Sequence, residues 1–321
     1  MTEQVIYLNG RFLPAADARL PLLTHALHYG TGVFEGIRAY FQAESGELLM
    51  FRALDHFERM ERNAPILHMQ LPLSPAELTE VAAELIRLNG FVTDVYLRPI
   101  CFKAGERVGL TLPAEQSFAM LAVPMGDYLD THRGLHCGVS SWRRVQDNAI
   151  PCRGKICGAY VNSALAAQEA RDRGFDEAIL LNEAGNVAEA SGMNLFLVRE
   201  GHLITPDPSQ GILEGITRDT VMTLARDEMG IDTESRAVSR PELYAADELF
   251  LCGTAAQIAP VTRVDGRAIG AGMPGPLTLE IQSIYQNVVR GGLLQYRRWV
   301  EPVYRYARIP VECAGRAPGR D

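Results

Sequence analysis

Lysine is almost absent from this chain. Of its 31 lysine and arginine residues, only Lys103 and Lys155 are lysines. Arginine keeps its proton in proteins and cannot act as an amine nucleophile, whereas a desolvated lysine can lose its proton. Each lysine is therefore a candidate for amine chemistry. Composition alone does not choose between the two, nor does it exclude that both survive by chance.

Other absences narrow the class of protein. No apolar run approaches the roughly 20 residues of a membrane-spanning helix, and the beginning, MTEQVIYLNGRF, lacks the basic and apolar stretches of a signal peptide. The net charge of −8 disfavours a nucleic-acid partner, because phosphate binding requires a basic surface. The six cysteines form no CxxC pair, as is usual in a reducing compartment. We expect a cytoplasmic protein without membrane or nucleic-acid partners.

Common ligand-binding motifs are also missing. After Gly30-Thr31-Gly32, Glu35 stands where the dinucleotide-binding fingerprint requires its third glycine. His132, His136 and Cys137 lie close together in sequence, but no second group of ligands accompanies them, so surface positions are the better interpretation. We therefore expect no metal site.

The length of 321 residues suggests two domains. Alternating apolar residues around Asn9-Gly10 predict a hairpin, and the segment after Ser74 has the start signal and apolar spacing of a helix over residues 75–88. The polar segment after the strand-like residues 117–124 is interpreted as a linker. The predicted division is a smaller N-terminal domain at 1–124, an interdomain loop at 125–134, a larger domain at 135–303 and a frayed tail at 304–321.

Lys155 has neighbours that Lys103 lacks. It stands just before a predicted helix at 158–173 that contains Tyr160, whereas Lys103 falls in a predicted Lys-Ala-Gly-Glu turn. A lysine that forms a Schiff base needs a partly desolvated amine near a hydrogen-bonding partner. Glu189, at the end of a short predicted strand, is either a solvated hairpin residue or a carboxylate that holds a proton on a pyridine nitrogen.

Two turns contain residues suited to binding an anion. Gly215-Ile216-Thr217 opens a predicted helix at 217–229, and the free N–H groups of its first turn would bind a phosphate. Local sequence favours the simpler alternative, in which Thr217 is an ordinary N-cap. Gly253-Thr254-Ala255-Ala256 follows a predicted strand, and its small side chains would let backbone N–H groups approach an anion.

These features occur in the order found in one enzyme family. The motifs are His25–Arg38 (HALHYGTGVFEGIR), His56–Arg59 (HFER), Tyr96–Pro99 (YLRP), Lys155 with Tyr160, Gly185–Glu189 with Asn194–Phe196, Gly215–Arg218 and Gly253–Ala256. With this order and spacing, residues from about 5 to 300 resemble the branched-chain aminotransferases, which are fold-type-IV pyridoxal-phosphate enzymes. The resemblance implies an α+β fold like that of D-amino-acid aminotransferase. Its smaller N-terminal domain is α/β, and its larger cofactor-binding domain has a mixed sheet or pseudo-barrel.

The resemblance also implies pyridoxal 5′-phosphate as cofactor and assigns its contacts. Lys155 would bind the cofactor covalently and, once freed by the substrate, move a proton between the substrate Cα and the cofactor C4′. Glu189 would pair with the pyridinium nitrogen, and Tyr160 with the phenolic oxygen. The implied phosphate ligands are Arg59, Ile216, Thr217 and Thr254.

The substrate contacts implied by the resemblance form two groups. The substrate carboxylate would meet Tyr96, Arg98, Ala255 and Ala256. The apolar pocket would be lined by Phe34, Gly36, Tyr128 and, from a neighbouring subunit, Tyr29 and Leu110, which implies a homodimer or a higher homo-oligomer. Met125 stands where some relatives carry a tryptophan, a difference that would reshape this pocket.

The implied reaction is transfer of the amino group of leucine, isoleucine or valine to 2-oxoglutarate, giving branched 2-oxo acids and L-glutamate. Alternatives on the same fold are a D-amino-acid transaminase, an R-selective amine transaminase and aminodeoxychorismate lyase. The segments 34–38 and 96–98 favour the branched-chain group. A non-catalytic ligand-binding homologue is the remaining alternative, which the combination of Lys155, Tyr160 and Glu189 disfavours.

Overall fold

A computed structural model of the chain describes residues 4–126 and 133–304. Within these ranges the chain forms seven α-helices and seventeen strands, which build two sheets. The helices are α1 His25–Tyr29, α2 Ala53–Asn63, α3 Pro75–Asn89, α4 Tyr160–Asp172, α5 Ile216–Met229, α6 Arg240–Tyr244 and α7 Pro276–Val289. Over the described ranges, none of these helices combines the length and the apolar character needed to cross a membrane.

The strands divide between the two sheets almost in chain order. They are β1 Val5–Leu8, β2 Arg11–Pro14, β3 Gly32–Phe34, β4 Ile37–Gln42, β5 Glu47–Phe51, β6 Val95–Lys103, β7 Gln116–Pro124, β8 Leu135–Arg143, β9 Glu177–Leu181, β10 Val187–Ala190, β11 Asn194–Arg199, β12 His202–Pro206, β13 Thr233–Arg236, β14 Glu248–Gly253, β15 Gln257–Val264, β16 Arg267–Ala268 and β17 Val300–Pro302. The first sheet has the order β17-β5-β4-β6-β7-β1-β2, with β3 also paired to β6. The second has the order β10-β9-β8-β15-β14-β11-β12-β13, with β16 also paired to β15.

Turn and capping residues place several of these elements where the sequence predicts them. Asn9 and Gly10 both have positive φ, 47° and 87°, as a two-residue hairpin turn requires, and β1 pairs with β2 around them. Ser74 and Glu77 form a reciprocal capping box at the start of α3, which ends at Gly90 in the left-handed conformation. The predicted hairpin and helix are confirmed.

The second sheet mixes parallel and antiparallel pairs. β8 runs parallel to both β9 and β15, whereas β14 is antiparallel to β11 and β15. Helices accompany both sheets, so the predicted α+β fold with a mixed sheet is confirmed. No strand is predicted from sequence for β12, β13 or β15, although β12 and β15 are mostly buried.

Buried apolar side chains join the two sheets. One cluster includes Tyr40 and Phe51 from the first sheet together with Phe196 and Phe250 from the second, whose rings stack at a centroid distance of 5.0 Å. Between β8 and α4, the segment around Lys155 returns to the first sheet, since the N–H of Phe34 donates to the Lys155 carbonyl at 3.2 Å. Residues from both halves of the chain thereby meet around one cavity.

Candidate active site

A cavity of about 470 Å³ receives side chains from both sheets. All seven residues predicted to contact the cofactor line it: Arg59, Lys155, Tyr160, Glu189, Ile216, Thr217 and Thr254. Seven of the predicted substrate residues line it as well: Phe34, Gly36, Tyr96, Arg98, Met125, Ala255 and Ala256. Residues that are far apart in the sequence therefore surround one volume.

Lys155 presents its amine to this cavity. Its backbone is left-handed, with φ of 44°, an uncommon conformation for a residue with a Cβ atom. Its Nζ donates to the Tyr160 hydroxyl at 3.3 Å and lies 5.2 Å from the centroid of the Phe34 ring. The amine is half-buried and has an aromatic hydroxyl within reach, as nucleophilic lysine chemistry requires.

Lys103 is a structural lysine. Contrary to the predicted turn, it is the last residue of β6, because residues 95–103 pair along their whole length with β7. Its side chain is buried, and its amine donates to the carbonyl of His68 at 2.7 Å. The structure thus separates the two lysines, one held in the fold and one facing the cavity.

Glu189, on β10, is buried and has three partners. Its Oε1 lies 2.7 Å from Nη2 of Arg144, and its Oε2 accepts from Asn194 Nδ2 and from the N–H of Leu213, both at 3.0 Å. Burial raises the pKa of Glu189, and Arg144 opposes this only in part. These contacts leave one lone pair of Oε1 for a further donor.

Arg144 was not predicted to take part in the site. It stands at the start of the loop that leads to Lys155 and is itself buried, with Nε donating to the Gly211 carbonyl at 3.2 Å. No local pattern distinguishes it from the other arginines of this arginine-rich chain. Asn194, in contrast, belongs to a recognised motif, so a role for it could have been proposed.

Arg59 is held by a buried carboxylate. Its Nε and Nη2 donate to the two oxygens of Glu35 at 2.7 and 2.8 Å, and Nη1 donates to the Glu214 carbonyl at 2.8 Å. His56 completes the group, with Nδ1 2.8 Å from Glu35 Oε2. Burial alone would raise the pKa of Glu35, but Arg59 and His56 outweigh it and hold that pKa well below its usual range. Three of the five guanidinium N–H groups are used, and two are left for a ligand.

The N-terminus of α5 forms the next part of the wall. Its N-cap is Gly215, with no side-chain cap, so the prediction of Thr217 as N-cap is wrong by two residues. A Cβ atom at position 215 would lie 2.0 Å from Asn194 Oδ1, which explains the glycine. Because no side chain caps the first turn, its N–H groups and the helix dipole can bind an anion.

Tyr96 and Arg98 form a polar end of the cavity. Arg98 Nη2 donates to the Tyr96 hydroxyl at 3.0 Å, and the guanidinium lies 4.5 Å from the centroid of the Phe34 ring. A Cβ atom at Gly36 would lie 1.9 Å from the Tyr96 hydroxyl, so glycine is required there for this arrangement. Arg98 Nε is buried without a hydrogen-bond partner in the described residues, which favours a ligand that accepts hydrogen bonds.

Comparison with known proteins decides the family. Residues 32–264 match the family described as amino-transferase class IV. The chain belongs to the class IV aminotransferase family. This class IV aminotransferase is 46% identical to a probable branched-chain-amino-acid aminotransferase of Aquifex aeolicus (strain VF5), over 93% of this chain and 96% of the relative.

Solved structures resemble this class IV aminotransferase over nearly its whole length. The branched-chain aminotransferase of the archaeon Thermoproteus uzoniensis, crystallised with norvaline, has a TM-score of 0.90 and 43% identity, covering 94% of this chain and 100% of that chain. The branched-chain amino acid aminotransferase from Thermobaculum terrenum, in its PLP-form, has a TM-score of 0.90 and 38% identity, covering 94% and 98%. The predicted fold and family are confirmed.

Three predicted substrate residues of this class IV aminotransferase are not among the residues that line the cavity. Tyr128 lies outside the described residues. Tyr29 and Leu110, predicted to reach the pocket of a neighbouring subunit, lie on one surface, where the Tyr29 hydroxyl accepts from the N–H of Gly109 at 3.1 Å. Leu110 is 84% exposed. A single chain therefore does not bring these two side chains to its own cavity.

Among the described residues, no group of three or more histidine, cysteine, aspartate or glutamate side chains is arranged to bind a metal ion. His136 accepts instead from the N–H of Gly266 at 3.1 Å and packs edge-on against Phe175. His132 lies outside the described ranges.

Proposed function

We propose that this protein is a pyridoxal-phosphate-dependent aminotransferase that exchanges the amino group between branched-chain L-amino acids and 2-oxoglutarate. The observation that carries this proposal is the cavity in which the Lys155 amine, the buried Glu189 and the uncapped start of α5 meet. The names of its relatives support the branched-chain substrates, and they do not favour the D-amino-acid, R-amine or lyase alternatives.

The residues of the cavity fit pyridoxal phosphate. The phosphate would be held by the two remaining N–H groups of Arg59, by the first turn of α5 and by Thr254. The free lone pair of Glu189 would accept from the ring N–H. The bound cofactor supplies a ring that takes up the electrons released when the substrate Cα–H bond breaks.

Three side chains would handle protons in this reaction. The Lys155 amine, when neutral, would take the proton from the substrate Cα and deliver it to the C4′ carbon of the cofactor. Tyr160, 3.3 Å from that amine, would orient it through the shared hydrogen bond. Glu189 would keep a proton on the ring nitrogen, an assignment supported by its burial and by the lone pair of Oε1 that its described partners leave open.

The two ends of the cavity would recognise the two ends of the substrate. Arg98, Tyr96 and the backbone of Ala255–Ala256 would bind the carboxylate. Arg98 Nε, which has no hydrogen-bond partner among the described residues, supports this assignment. Phe34 and Met125 would form the apolar wall, and Gly36 lets the Tyr96 ring approach the backbone there. Tyr128 and the partner's copies of Tyr29 and Leu110 would complete it.

We propose that the protein acts as a homodimer. Exposed apolar side chains lie on the two segments that carry Tyr29 and Leu110, and such a patch favours burial against a second copy. They are Leu20, Leu22, Leu23, Leu27, Val108 and Leu110. The segments are tied together, since the N–H of His25 donates to the Gly105 carbonyl at 3.0 Å. Sedimentation should show a dimer for the wild type. For Leu27→Glu it should show a dimer that dissociates at higher protein concentration.

We propose domain boundaries at 1–124 and 135–303. The first seven strands end at Pro124, and the second sheet begins at Leu135. β17, although late in the chain, pairs with β5 and so attaches the end of the larger unit to the first sheet. We also propose a cytoplasmic location, which the five free thiols among the described cysteines support.

The central test uses the two lysines. Loaded wild-type protein should absorb visible light, change its spectrum with L-leucine and form L-glutamate from 2-oxoglutarate. Lys155→Ala should lose the visible absorbance and at least about 100-fold in turnover, because no other described amine faces the cavity. Lys103→Met is the matched control and should keep both. Retention of colour and turnover by Lys155→Ala, or faster turnover of D-alanine or aminodeoxychorismate than of L-leucine, would contradict the proposal.

A further inference from the structure

Arg38 joins two walls of the cavity from behind. It lies on β4, and only 1% of its side chain is exposed. Its Nη1 donates to the Ala255 carbonyl at 2.8 Å, and its Nη2 donates to the Gly126 and Met125 carbonyls at 2.9 and 3.3 Å. One guanidinium therefore connects the turn after β14 to the segment that follows β7.

The contact with Ala255 also fixes the next N–H group. The carbonyl of Ala255 and the N–H of Ala256 belong to one planar peptide and point in opposite directions. A charged donor on the carbonyl thus sets the direction of that N–H, and it polarises the peptide so that the N–H becomes a stronger donor. Ala256 lines the cavity. Arg38 therefore controls a backbone donor without touching the cavity contents itself.

The charge of Arg38 is only partly balanced. The carboxylate of Asp94 lies 3.7 Å away, but it is also 3.3 Å from Arg290. Arg38 Nε is buried and has no hydrogen-bond partner within the part of the chain that the structure describes. A buried cation is weakly screened, so its field favours an anion bound nearby.

We propose that Arg38 is a positioning residue for the substrate carboxylate. It holds the Ala255–Ala256 peptide ready to donate and holds Met125 at the apolar wall, so one side chain sets the distance between the two recognition elements. This inference rests on the proposed function of the cavity as an amino-acid and 2-oxo-acid site.

Arg290 provides a matched control. Its guanidinium lies 5.5 Å from the centroid of the Tyr40 ring, compared with 5.3 Å for Arg38, and both arginines approach Asp94. Arg290 instead donates to the Phe41 carbonyl and is 42% exposed. Arg38→Met and Arg290→Met therefore remove similar charges, but only the first frees the Ala255 and Met125 carbonyls.

The experiment measures how tightly the holoenzyme binds two ligands. One is 4-methylvalerate, a branched carboxylate without an amino group, and the other is the uncharged amide of that acid. In Arg38→Met, the Kd of the carboxylate should rise about tenfold or more, because charge-assisted contacts are lost. The Kd of the amide should rise less than about threefold, because the amide carries no charge. The KM values of L-leucine and 2-oxoglutarate should rise together, with little change in kcat. The Kd of the cofactor should stay within about twofold, and Arg290→Met should resemble the wild type.

Arg38→Lys keeps the charge but has a single donor group, so its carboxylate Kd should lie between those of the wild type and Arg38→Met. It also serves as the test if Arg38→Met fails to fold. Two results would overturn the inference but leave the proposed function intact, provided that the wild type turns over L-leucine. One is an unchanged carboxylate Kd in folded Arg38→Lys, and the other is equally weakened carboxylate binding in Arg290→Met. A wild type that neither bound 4-methylvalerate nor turned over L-leucine would overturn the proposed function and this inference together.

Discussion

Two buried glutamates, Glu35 and Glu189, pair with arginines that line the same cavity. Glu35 follows β3 in the first sheet and contacts Arg59, and Glu189 lies on β10 of the second and contacts Arg144. The shortest ion-pair distance is 2.7 Å in both. The pKa of Glu35 is nevertheless lowered, whereas that of Glu189 is raised.

The difference lies in the number of charged donors. Burial raises the pKa of both carboxyls, but Glu35 receives two N–H groups from Arg59 and a further contact from His56. Glu189 has one contact with Arg144, and its other two donors are neutral amides. A carboxylate that accepts two N–H groups from one guanidinium stays anionic and fixes its arginine. One with an open lone pair and a raised pKa is suited to share a proton with a ligand.

The largest expected effect is on turnover. Glu189→Gln should lower kcat at least about 100-fold, because an amide cannot stabilise a proton on the cofactor ring. Glu248→Gln is the matched control: Glu248 is also buried, but its carboxylate caps the start of α7, with Thr278 donating at 2.7 Å, and does not line the cavity. Steady-state kinetics with L-leucine checks both variants. Equal losses in the two would mean that burial of a carboxylate, and not its position, matters.

Glu35→Gln tests the other pair and should act mainly on stability. Removing the carboxylate leaves the buried Arg59 charge unpaired, which should cost about 3 kcal/mol in the free energy of unfolding. Glu84→Gln, which breaks the partly exposed 2.8 Å pair with Arg87, should cost less than about 1 kcal/mol. Urea unfolding at pH 7 measures both. A cost for Glu35→Gln no larger than for Glu84→Gln would show that Arg59 does not depend on its partner.

The sequence predicts one residue of each ion pair, Glu189 and Arg59, but not the role of its partner. The ordered motifs identify Lys155, Glu189 and Arg59, and all three line the cavity. Motif order works because few other side chains can perform the chemistry that is proposed for those residues. Glu35 and His56 occur within the same motifs, yet spacing alone does not reveal that they converge on Arg59, since α2 must first pack against β3 and β4.

The remaining features depend on contacts that no local pattern encodes. Arg144 reaches Glu189 because β8 and β10 lie on either side of β9. Gly215, and not Thr217, caps α5 because Gly215 has extended backbone angles and packs against Asn194. Lys103 lies in a strand because β7 pairs with it, which overrides the turn-like Lys-Ala-Gly-Glu sequence. Tertiary pairing decides each case.

A smaller effect should appear in the pH dependence of stability. Burial lowers the pKa of His56 below its ordinary value of 6.5, so the unfolded chain binds that proton more tightly. Stability from this group is therefore present above pH 6.5 and is lost as the pH falls, with a slope of at most about 1.4 kcal/mol per pH unit. His56→Asn should flatten the curve of unfolding free energy between pH 7.5 and 5.5, whereas replacing the exposed His202 should not. An unchanged slope in His56→Asn would contradict the prediction.

Glu189 should give the opposite pH dependence, and this is the smallest effect. Its pKa is raised above the ordinary value of 4.5, so its contribution to stability is complete below that pH and is lost as the pH rises through the folded-state pKa. In Glu189→Gln this loss disappears. The stability of the wild type relative to Glu189→Gln should thus decrease as the pH rises above 4.5. Its stability relative to His56→Asn should instead increase as the pH rises to 6.5. Cofactor-free protein at one fixed concentration should be used, because bound ligand and dimerisation both shift apparent stability. If the stability of the wild type relative to Glu189→Gln instead increased with pH, Glu189 would be charged in the folded protein and would be a second structural anion like Glu35.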